Sequence, residues 1–393
     1  MRITKSLVHA ALVALALLAG FAWVPAQAAD TIKIGLIVPM TGPFSYMGRQ
    51  ITAGVSLYLA EHGAAVAGKT VEIVLKDDAG LPDNSRRLAQ ELVVNDKVTV
   101  LAGFGLTPQA FSTAAIATQS KTPMVVMQAA TSSVTEKSPY IVRTSMTLPQ
   151  VTGGVAEWAY KNRITRVVTL VSDFAPGIDA EKAFKDHFTA NGGQIPAALR
   201  MPMITADFAP FLQRVMDARP EAVFVFLPAG SSAAVFMKQF AERGLSKAGI
   251  RLLGTGDVVD DDVLNDMGDA ALGTITSHHY SAAHPSAMNK KFVAAFSKAN
   301  KGMRPNFMAV AGYDGMHVIM EGLKVTRGAG GDALVNAMKG QIFESPRGQV
   351  VIDAQTRDIV QDVYVRKVER IDGKLYNVEF DVEKFVKDPG KTR

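Results

Sequence analysis

Cysteine is absent from the 393 residues of the chain. Its absence excludes disulfide bonds, a thiolate nucleophile, a cysteine-ligated metal and the lipid-modified cysteine of a lipoprotein anchor. The sequence also lacks a second long apolar run after its first thirty residues, so it predicts no membrane-spanning helix beyond them. The protein must therefore owe its stability to the size of its hydrophobic core.

Charge of either sign is not concentrated in any stretch of the sequence. Lysine and arginine together number 42, aspartate and glutamate number 37, and no run of five or six like charges occurs. This mild basic balance gives no support to nucleic-acid binding, because such binding relies on clustered positive charge. A nucleic acid is therefore not expected among the partners.

Motifs of common enzyme classes are missing as well. There is no Gly-x-Ser-x-Gly and no Gly-Lys-Ser/Thr phosphate loop, and Gly254-Thr255-Gly256 lacks the third glycine of a dinucleotide-binding turn. His278 and His279 are adjacent on a predicted strand, where neighbouring side chains point to opposite faces, so they do not predict a metal site. The sequence predicts a protein that is not an enzyme and that uses no metal or cofactor.

The first residues have the features of a secretory signal peptide. Arg2 and Lys5 precede an apolar run over 7–24, and Ala26-Gln27-Ala28 supplies a small-x-small cleavage site. We predict cleavage after Ala28 and a periplasmic location, with a retained N-terminal anchor as the alternative. About 365 residues would remain, which is enough for two domains that each bury a core.

The segment 33–54 predicts a strand, a loop and the start of a helix. Its first residues are continuously apolar, which is typical of a parallel strand that is covered on both faces. The loop 41–48 then lies at the carboxyl edge of a sheet, where open α/β sheets bind their ligands. An ordinary connecting loop that touches no ligand is the alternative.

Further strands and helices alternate along the chain, which predicts an α/β fold with two similar lobes. Predicted strands cover 71–75, 98–104, 124–127, 167–171, 222–227, 251–253 and 273–280. The tail differs, because 349–352, 361–368 and 374–380 alternate like antiparallel strands. Helices over 286–298, 305–322 and 332–338 could complete the first lobe, and the tail could complete the second.

Such an arrangement requires the chain to cross between the lobes three times, near 140–148, 278–284 and 344–350. The first lobe would contain 29–143 plus 281–345, and the second would contain 144–280 plus 346–393. Arg143 and Arg347 lie at two of these crossovers, where we expect them to form ion pairs between the lobes.

Several segments resemble a known family when they are taken in chain order. They are KIGLIVPMTGPFSYMG, Lys76-Asp77-Asp78, GFGLTP, QAATSS, Arg143-Thr144 and Asp207-Phe208 followed by RPEAVFVFLPAG. The chain resembles the periplasmic type I solute-binding proteins, and within them the leucine/isoleucine/valine-binding group. The resemblance implies two Rossmann-like lobes that close over a small ligand in the cleft between them. It also implies delivery of that ligand to the permease and ATPase of an ABC importer.

The resemblance is closer to a subgroup of this family that takes up benzoate, hydroxybenzoate or cinnamate type acids. Amino-acid binders of the family usually place an acidic residue where this chain has Gly256 followed by Asp257, and a tyrosine where it has Phe174 nearby. We therefore predict a monomeric protein that binds a small aromatic carboxylate. Binding of a branched-chain or other amino acid is the second hypothesis, and an exported α/β hydrolase is the third.

The predicted ligand-binding residues come from the strand exits of both lobes. Helix starts at Ser45, Thr107 and Thr131 carry partial positive charge that suits a carboxylate. Aromatic rings near the exits could enclose an apolar body. The complete set is Phe44, Ser45, Tyr46, Met47, Phe104, Leu106, Thr107, Gln128, Ala130, Thr131, Phe174, Pro228, Gly256, Asp257 and Tyr280.

Overall fold

Two β-sheets organise residues 31–391, the part of the chain that the computed structural model describes. The predicted signal peptide, residues 1–28, and its cleavage site lie outside the described residues. Within the described range, no helix combines the length and the apolar character needed to cross a bilayer. The architecture confirms the predicted α/β class with two lobes.

The first sheet has the strand order β2-β3-β1-β4-β5-β6, and only the β2–β3 pair is antiparallel. Ile34, Leu36, Ile37 and Val38 of β1 are at most 1% exposed, because helices cover both faces of the sheet. This burial explains why β1 shows no polar alternation. Its strands are β1 Thr31–Val38, β2 Ala65–Val66, β3 Lys69–Asp77, β4 Val100–Gly103, β5 Met124–Val126 and β6 Ile141–Arg143. Its connecting helices are α1 Ser45–His62, α2 Pro82–Val94 and α3 Thr107–Ser120.

The second sheet has the order β12-β13-β14-β11-β10-β9-β7-β8, and β15 pairs with β14. Its parallel half is β7 Val167–Ser172, β8 Ala198–Met201, β9 Ala222–Phe226, β10 Arg251–Thr255 and β11 Ile275–His278. Its antiparallel half is β12 Ile342–Ser345, β13 Gly348–Ile352, β14 Ile359–Ile371 and β15 Lys374–Val386. The helices of this lobe are α4 Leu148–Lys161, α5 Ala175–Ala190, α6 Ala209–Asp217, α7 Ser231–Glu242 and α8 Leu264–Met267.

Three later helices return to the first sheet. They are α9 Ala287–Ala299, α10 Phe307–Thr326 and α11 Gly331–Met338. Helix α10 packs closely along α1, since a Cβ on Gly54 would lie 2.0 Å from the carbonyl oxygen of Ala309, and one on Gly312 would lie 2.5 Å from that of Ile51. The first lobe is accordingly the first sheet with α1–α3 and α9–α11, and the second lobe is the second sheet with α4–α8.

Two buried ion pairs join the lobes where the chain crosses between them. The Nε of Arg143 lies 2.8 Å from Oδ1 of Asp358, and Nη2 of Arg347 lies 2.7 Å from Oδ2 of Asp314. All four side chains are at most 2% exposed. Both arginines also donate to backbone carbonyl groups of the crossovers, including Met146 for Arg143. The expected inter-lobe ion pairs are confirmed.

Four short strands, β2, β6, β8 and β12, are not predicted by the sequence pattern. Each has only two to four residues, which is too short to form a continuous apolar run that could be recognised. Strand β12 pairs with β13 of the second sheet, so the chain has already returned to that sheet by Ile342. The other lobe boundaries stay a prediction.

Candidate ligand-binding cleft

A cavity lies between the lobes at the carboxyl ends of their parallel strands. This position follows from the fold, because the loops after parallel strands all emerge at one edge of a sheet. The first lobe lines it with Met47, Gly105, Leu106, Thr107, Gln128, Ala129 and Ala130. The second lobe lines it with Leu148, Phe174, Pro176, Phe226, Pro228 and Asp257.

The first lobe presents the start of helix α3 to this cavity. The helix begins at Thr107 with Pro108 in its first turn, and no side chain caps its N-terminus. The hydroxyl of Thr107 donates to the hydroxyl of Thr131 over 3.2 Å, and both residues are buried. An uncapped helix N-terminus offers N–H groups and partial positive charge, so this wall suits an anion.

The amide of Gln128 lies on the same wall. Its Oε1 atom is buried and has no hydrogen-bond partner among the described residues. A side-chain amide has one acceptor and two donor hydrogens, so Gln128 can turn either end toward a ligand. The first lobe thus meets the cavity with hydroxyl, amide and backbone groups.

The second lobe presents aromatic rings. Phe174 and Phe226 stack with their ring centroids 6.0 Å apart and their planes 26° from parallel. Pro176 and Pro228 extend this apolar wall. Flat apolar side chains of this kind favour a ligand with a flat apolar body.

A carboxylate ends the wall of the second lobe. Asp257 is 4% exposed, and its Oδ2 accepts a hydrogen bond of 2.8 Å from the hydroxyl of Thr255. The Nε2 atom of His278 is 3.7 Å from the same oxygen, which is too long for a hydrogen bond. Burial lowers the pKa of His278 to about 4, so this imidazole is neutral at pH 7.

Tyr46 reaches from α1 across to the second lobe. Its ring lies so close to Gly230 that a Cβ there would stand 2.6 Å from the ring. The phenol is buried and has no hydrogen-bond partner among the described residues. Burial raises the pKa of Tyr46, and the nearby carboxylates of Asp260 and Asp257 raise it further, so the phenol is protonated at neutral pH.

Eight of the fifteen predicted ligand-binding residues line the cavity. They are Met47, Leu106, Thr107, Gln128, Ala130, Phe174, Pro228 and Asp257. Thr131 lies just behind Thr107, to which it is hydrogen bonded. Whether these residues bind a ligand stays a prediction.

The remaining predicted residues face other parts of the molecule. Phe44 packs against the turn at Gly80, and Ser45 accepts a hydrogen bond from Arg49. Phe104 is fully buried in the first lobe and does not line the cavity. None of these three side chains lines the cavity.

Gly256 and Tyr280 also lie outside the cavity. A Cβ on Gly256 would stand 2.0 Å from Nη2 of Arg366, so the guanidinium fills the space beside this glycine. Tyr280 is fully buried and donates a hydrogen bond of 3.0 Å to Oδ1 of Asn289. The strand before it ends at His278, and the chain then leaves the cavity for the first lobe.

Sequence reasoning missed five lining residues, Gly105, Ala129, Leu148, Pro176 and Phe226. Phe226 is the last residue of β9, and the carboxyl-end rule that selects Pro228 would have found it. Leu148 starts the helix after a crossover, and no local pattern indicates that this position returns to the cleft.

A larger hollow lies elsewhere, between α1, α9 and α10, and it includes Phe343 of β12. Several of its polar side chains are already paired, since Tyr313 donates to Glu61 over 2.7 Å and its oxygen is 3.0 Å from Nε2 of His62. It does not lie at the carboxyl ends of the strands. We therefore regard the inter-lobe cavity as the candidate site.

Comparison with known proteins agrees with the fold. Residues 31–374 match a family model described as periplasmic binding protein. The chain is 43% identical over 383 residues to the Leu/Ile/Val-binding protein homolog 6 of Brucella melitensis, an alignment that covers 96% of this chain and 98% of the relative.

Two solved structures from Rhodopseudomonas palustris are similar to this chain. Both are solute-binding proteins of ABC transporters, with a TM-score of 0.90, and in each case 92% of this chain and all of the other are covered. The protein of strain BisB5 is 60% identical and was solved with 3,4-dihydroxybenzoic acid, and that of strain HaA2 is 44% identical and was solved with p-hydroxybenzoic acid. Proteins of this kind bind small molecules and work with membrane components. The chain belongs to the periplasmic binding protein family, as a solute-binding protein of an ABC transporter.

Proposed function

We propose that this protein binds one small aromatic carboxylic acid between its lobes, of the benzoate or hydroxybenzoate type, and delivers it to the permease and ATPase of an importer. One observation carries the proposal. A single cavity combines the stacked rings of Phe174 and Phe226 with the uncapped N-terminus of α3. A flat ring and a carboxylate are the two groups that these features suit.

The carboxylate would lie against the first lobe. Helix α3 is 14 residues long and supplies N–H groups and partial positive charge at Thr107, while the hydroxyl groups of Thr107 and Thr131 lie beside it. This arrangement stabilises an anion without a positively charged side chain.

The ring would lie against the second lobe and the apolar residues of the first. Phe174 and Phe226 supply aromatic faces, and Met47 and Leu106 approach from the other lobe. Offset stacking between rings adds to the gain from apolar burial, so a flat ring should bind better than a saturated one.

Both lobes would contact the ligand only when they are close together. A ligand that contacts both lobes binds the closed arrangement more tightly than the open one and therefore shifts the population toward closure. The proposed protein is a monomer without catalytic turnover, exported with cleavage after Ala28.

The relatives support two ligand classes. The solved Rhodopseudomonas palustris proteins hold hydroxylated benzoic acids, whereas the Brucella melitensis relative is named for leucine, isoleucine and valine. A branched-chain amino acid is thus the second candidate. It carries an ammonium group, for which Asp257 is the one acidic side chain among the lining residues.

A thermal-shift and calorimetry panel on the mature protein tests the proposal. The panel compares benzoate, 4-hydroxybenzoate, 3,4-dihydroxybenzoate, cinnamate, leucine and valine, with cyclohexanecarboxylate as the saturated control. A ligand at 100 times its dissociation constant should add about 2.7 kcal/mol to the free energy of unfolding. We expect at least one benzoate to do so and cyclohexanecarboxylate to be weaker.

Stabilisation by leucine with none by any aromatic acid would contradict the proposal. Chromatography of each ligand, and of its esters, after incubation with the protein checks the absence of turnover. The appearance of a hydrolysis product would favour the hydrolase hypothesis instead.

A further inference from the structure

The cavity has an uneven distribution of charge. Of the thirteen residues that line it, Asp257 alone has an ionisable side chain. It is 4% exposed and belongs to the second lobe, whereas the helix N-terminus that suits an anion belongs to the first. A ligand that spans the cleft therefore meets different chemistry at its two ends.

Asp257 is held in place and retains acceptor capacity. Its Oδ2 accepts a hydrogen bond from Thr255, and the residue is the second of a 3₁₀ turn over Gly256–Val259. The hydrogen bond from Thr255 reaches Oδ2 and leaves Oδ1 aside. A carboxylate oxygen has two lone pairs, so Asp257 can accept a further hydrogen bond from a donor in the cavity.

Placing the ligand carboxylate at the Asp257 end of the cavity would weaken binding. Two carboxylates in a buried site repel each other, and one of them must take up a proton or move away. The same ligand carboxylate is stabilised at the start of α3. The ligand thus enters in one orientation, with its carboxylate on the first lobe and the opposite ring position toward the second.

We propose that Asp257 is the residue that makes this protein specific for benzoates with a hydrogen-bond donor opposite the carboxylate, foremost a para-hydroxyl group. The inference rests on the proposed function and deepens it, since it names the substituent that the second lobe recognises. The phenol of the ligand donates a hydrogen bond to Oδ1 of Asp257. The hydroxyl of Thr255 keeps the Asp257 carboxylate oriented through its hydrogen bond to Oδ2.

This arrangement predicts a ranking of para-substituted benzoates of similar size. The hydroxyl of 4-hydroxybenzoate and the amine of 4-aminobenzoate can each donate to Asp257, whereas the methyl group of 4-methylbenzoate cannot. Terephthalate carries a second carboxylate in place of the donor and should be rejected most strongly. A hydrogen bond to a charged group corresponds to an affinity gain of about tenfold or more.

The test measures the dissociation constants of these four ligands by calorimetry for the wild type and two variants. In the wild type, 4-hydroxybenzoate should bind at least about tenfold more tightly than 4-methylbenzoate. In Asp257→Ala the dissociation constants of 4-hydroxybenzoate and 4-methylbenzoate should become nearly equal. In Asp257→Asn, terephthalate should gain about tenfold in affinity, because the like charge is gone and the amide can donate to it.

A matched control removes an acidic group from the same lobe away from the cavity. Asp269 is 82% exposed and pairs with Arg370 on the surface. Asp269→Asn should leave all four dissociation constants unchanged. A general effect of net charge would instead change the terephthalate affinity in this variant as well.

The outcomes separate the inference from the function on which it rests. Suppose that the wild type binds benzoates but has nearly equal dissociation constants for 4-hydroxybenzoate and 4-methylbenzoate; Asp257 then does not determine specificity. The same conclusion follows if the two dissociation constants still differ in both Asp257 variants. If the wild type binds no benzoate, this result contradicts the proposed function and therefore also the inference that rests on it. If the variants do not fold, the order of the four dissociation constants in the wild type tests the inference, and an order that differs from the predicted one contradicts it.

Discussion

The two lobes contribute opposite kinds of chemistry to one cavity. The wall of the first lobe presents a helix N-terminus, the hydroxyl of Thr107 and the amide of Gln128 beside small and apolar residues, and none of its seven lining residues is ionisable. The wall of the second lobe consists of rings, prolines and one carboxylate. The difference teaches that neither lobe alone is complementary to a ligand, so recognition of both ends requires the lobes to come together.

Removal of Arg347 should have the largest effect, because this residue joins the two lobes where the chain crosses between them. Its guanidinium pairs with Asp314 and donates to Ser145 and Gln361, all in the interior. Arg347→Met should lower the free energy of unfolding by about 3–5 kcal/mol, since Asp314 is left buried without its partner. Urea denaturation measures this loss.

The matched control is Arg370→Met, which breaks an exposed pair with Asp269. This variant should lower the free energy of unfolding by less than about 1 kcal/mol. Equal losses in the two variants would show that the buried pair is not what holds the lobes together.

A methyl group added at equivalent loop positions should affect the two lobes unequally. A Cβ on Gly256, after β10, would stand 2.0 Å from Nη2 of Arg366 and 2.6 Å from His278. A Cβ on Gly105, after β4, would stand 3.2 Å from Pro39. Gly256→Ala should therefore cost about 1–3 kcal/mol of stability as an overpacked site, and Gly105→Ala clearly less.

Thermal melting of the two glycine variants checks this order. A Gly256→Ala protein as stable as the wild type would mean that Arg366 moves aside easily. The guanidinium of Arg366 would then not be a fixed part of the second lobe's interior.

Loss of one hydroxyl from the first lobe should weaken ligand binding without unfolding the protein. Thr107→Val removes the donor to Thr131 and one group beside the predicted carboxylate position. We expect the affinity for benzoates to fall about fivefold, which corresponds to about 1 kcal/mol. Calorimetry measures the change. The ratio of the dissociation constants for 4-hydroxybenzoate and 4-methylbenzoate should stay as in the wild type.

Thr113 is the control on the same helix. It is fully buried, and its hydroxyl has no partner among the described residues. Thr113→Val should leave affinity unchanged. A similar loss in both variants would assign the effect to helix α3 as a whole rather than to the hydroxyl of Thr107.

A pH dependence should be the smallest effect at neutral pH. Asp260 of the second lobe accepts two hydrogen bonds from the side chain of Asn306 in the first, and Asp261 and Asp262 flank it. Burial above all, and then the charge of Asp262, raise the pKa of Asp260 to about 8. The folded state therefore holds a proton that the unfolded state releases near pH 4.

The sign of the effect follows from this difference in bound protons. The contribution of Asp260 to the free energy of unfolding is fully present below pH 4 and is lost as the pH rises through about 8. The amide introduced by Asp260→Asn does not titrate, so this variant should lose less stability than the wild type between pH 6.5 and 8. Urea denaturation at both pH values checks this.

The chosen pH interval avoids the opposite contribution of His278. Burial lowers its pKa to about 4, so its contribution is lost as the pH falls below 6.5. Parallel pH profiles for the wild type and Asp260→Asn would contradict a protonated Asp260 in the folded protein.

Much of the fold could be predicted because parallel strands buried on both faces leave continuous apolar runs. Strand β1 and its helix are one example, and Thr107-Pro108 correctly indicates the start of α3. Strand β8 was missed because it lies at the edge of its sheet, where alternate residues are exposed and no apolar run forms.

The candidate site was less predictable than the fold. Phe174 and Tyr280 are both aromatic residues near strand exits, yet only Phe174 lines the cavity. Tyr280 instead packs in the interior and donates to Asn289. An aromatic side chain is equally suited to a core and to a ligand, so its type and position in the chain do not distinguish these roles.

The sequence by itself determined the class of fold, the family and the strand exits that supply the cavity, because local apolar patterns and helix starts depend on neighbouring residues in the chain. Only the tertiary structure decided which exit side chains face one another across the lobes. It brought Phe226 beside Phe174, filled the space at Gly256 with Arg366 and left Asp257 as the one ionisable side chain among the residues that line the cavity. These contacts join residues far apart in sequence, and packing between lobes leaves no local pattern from which to infer them.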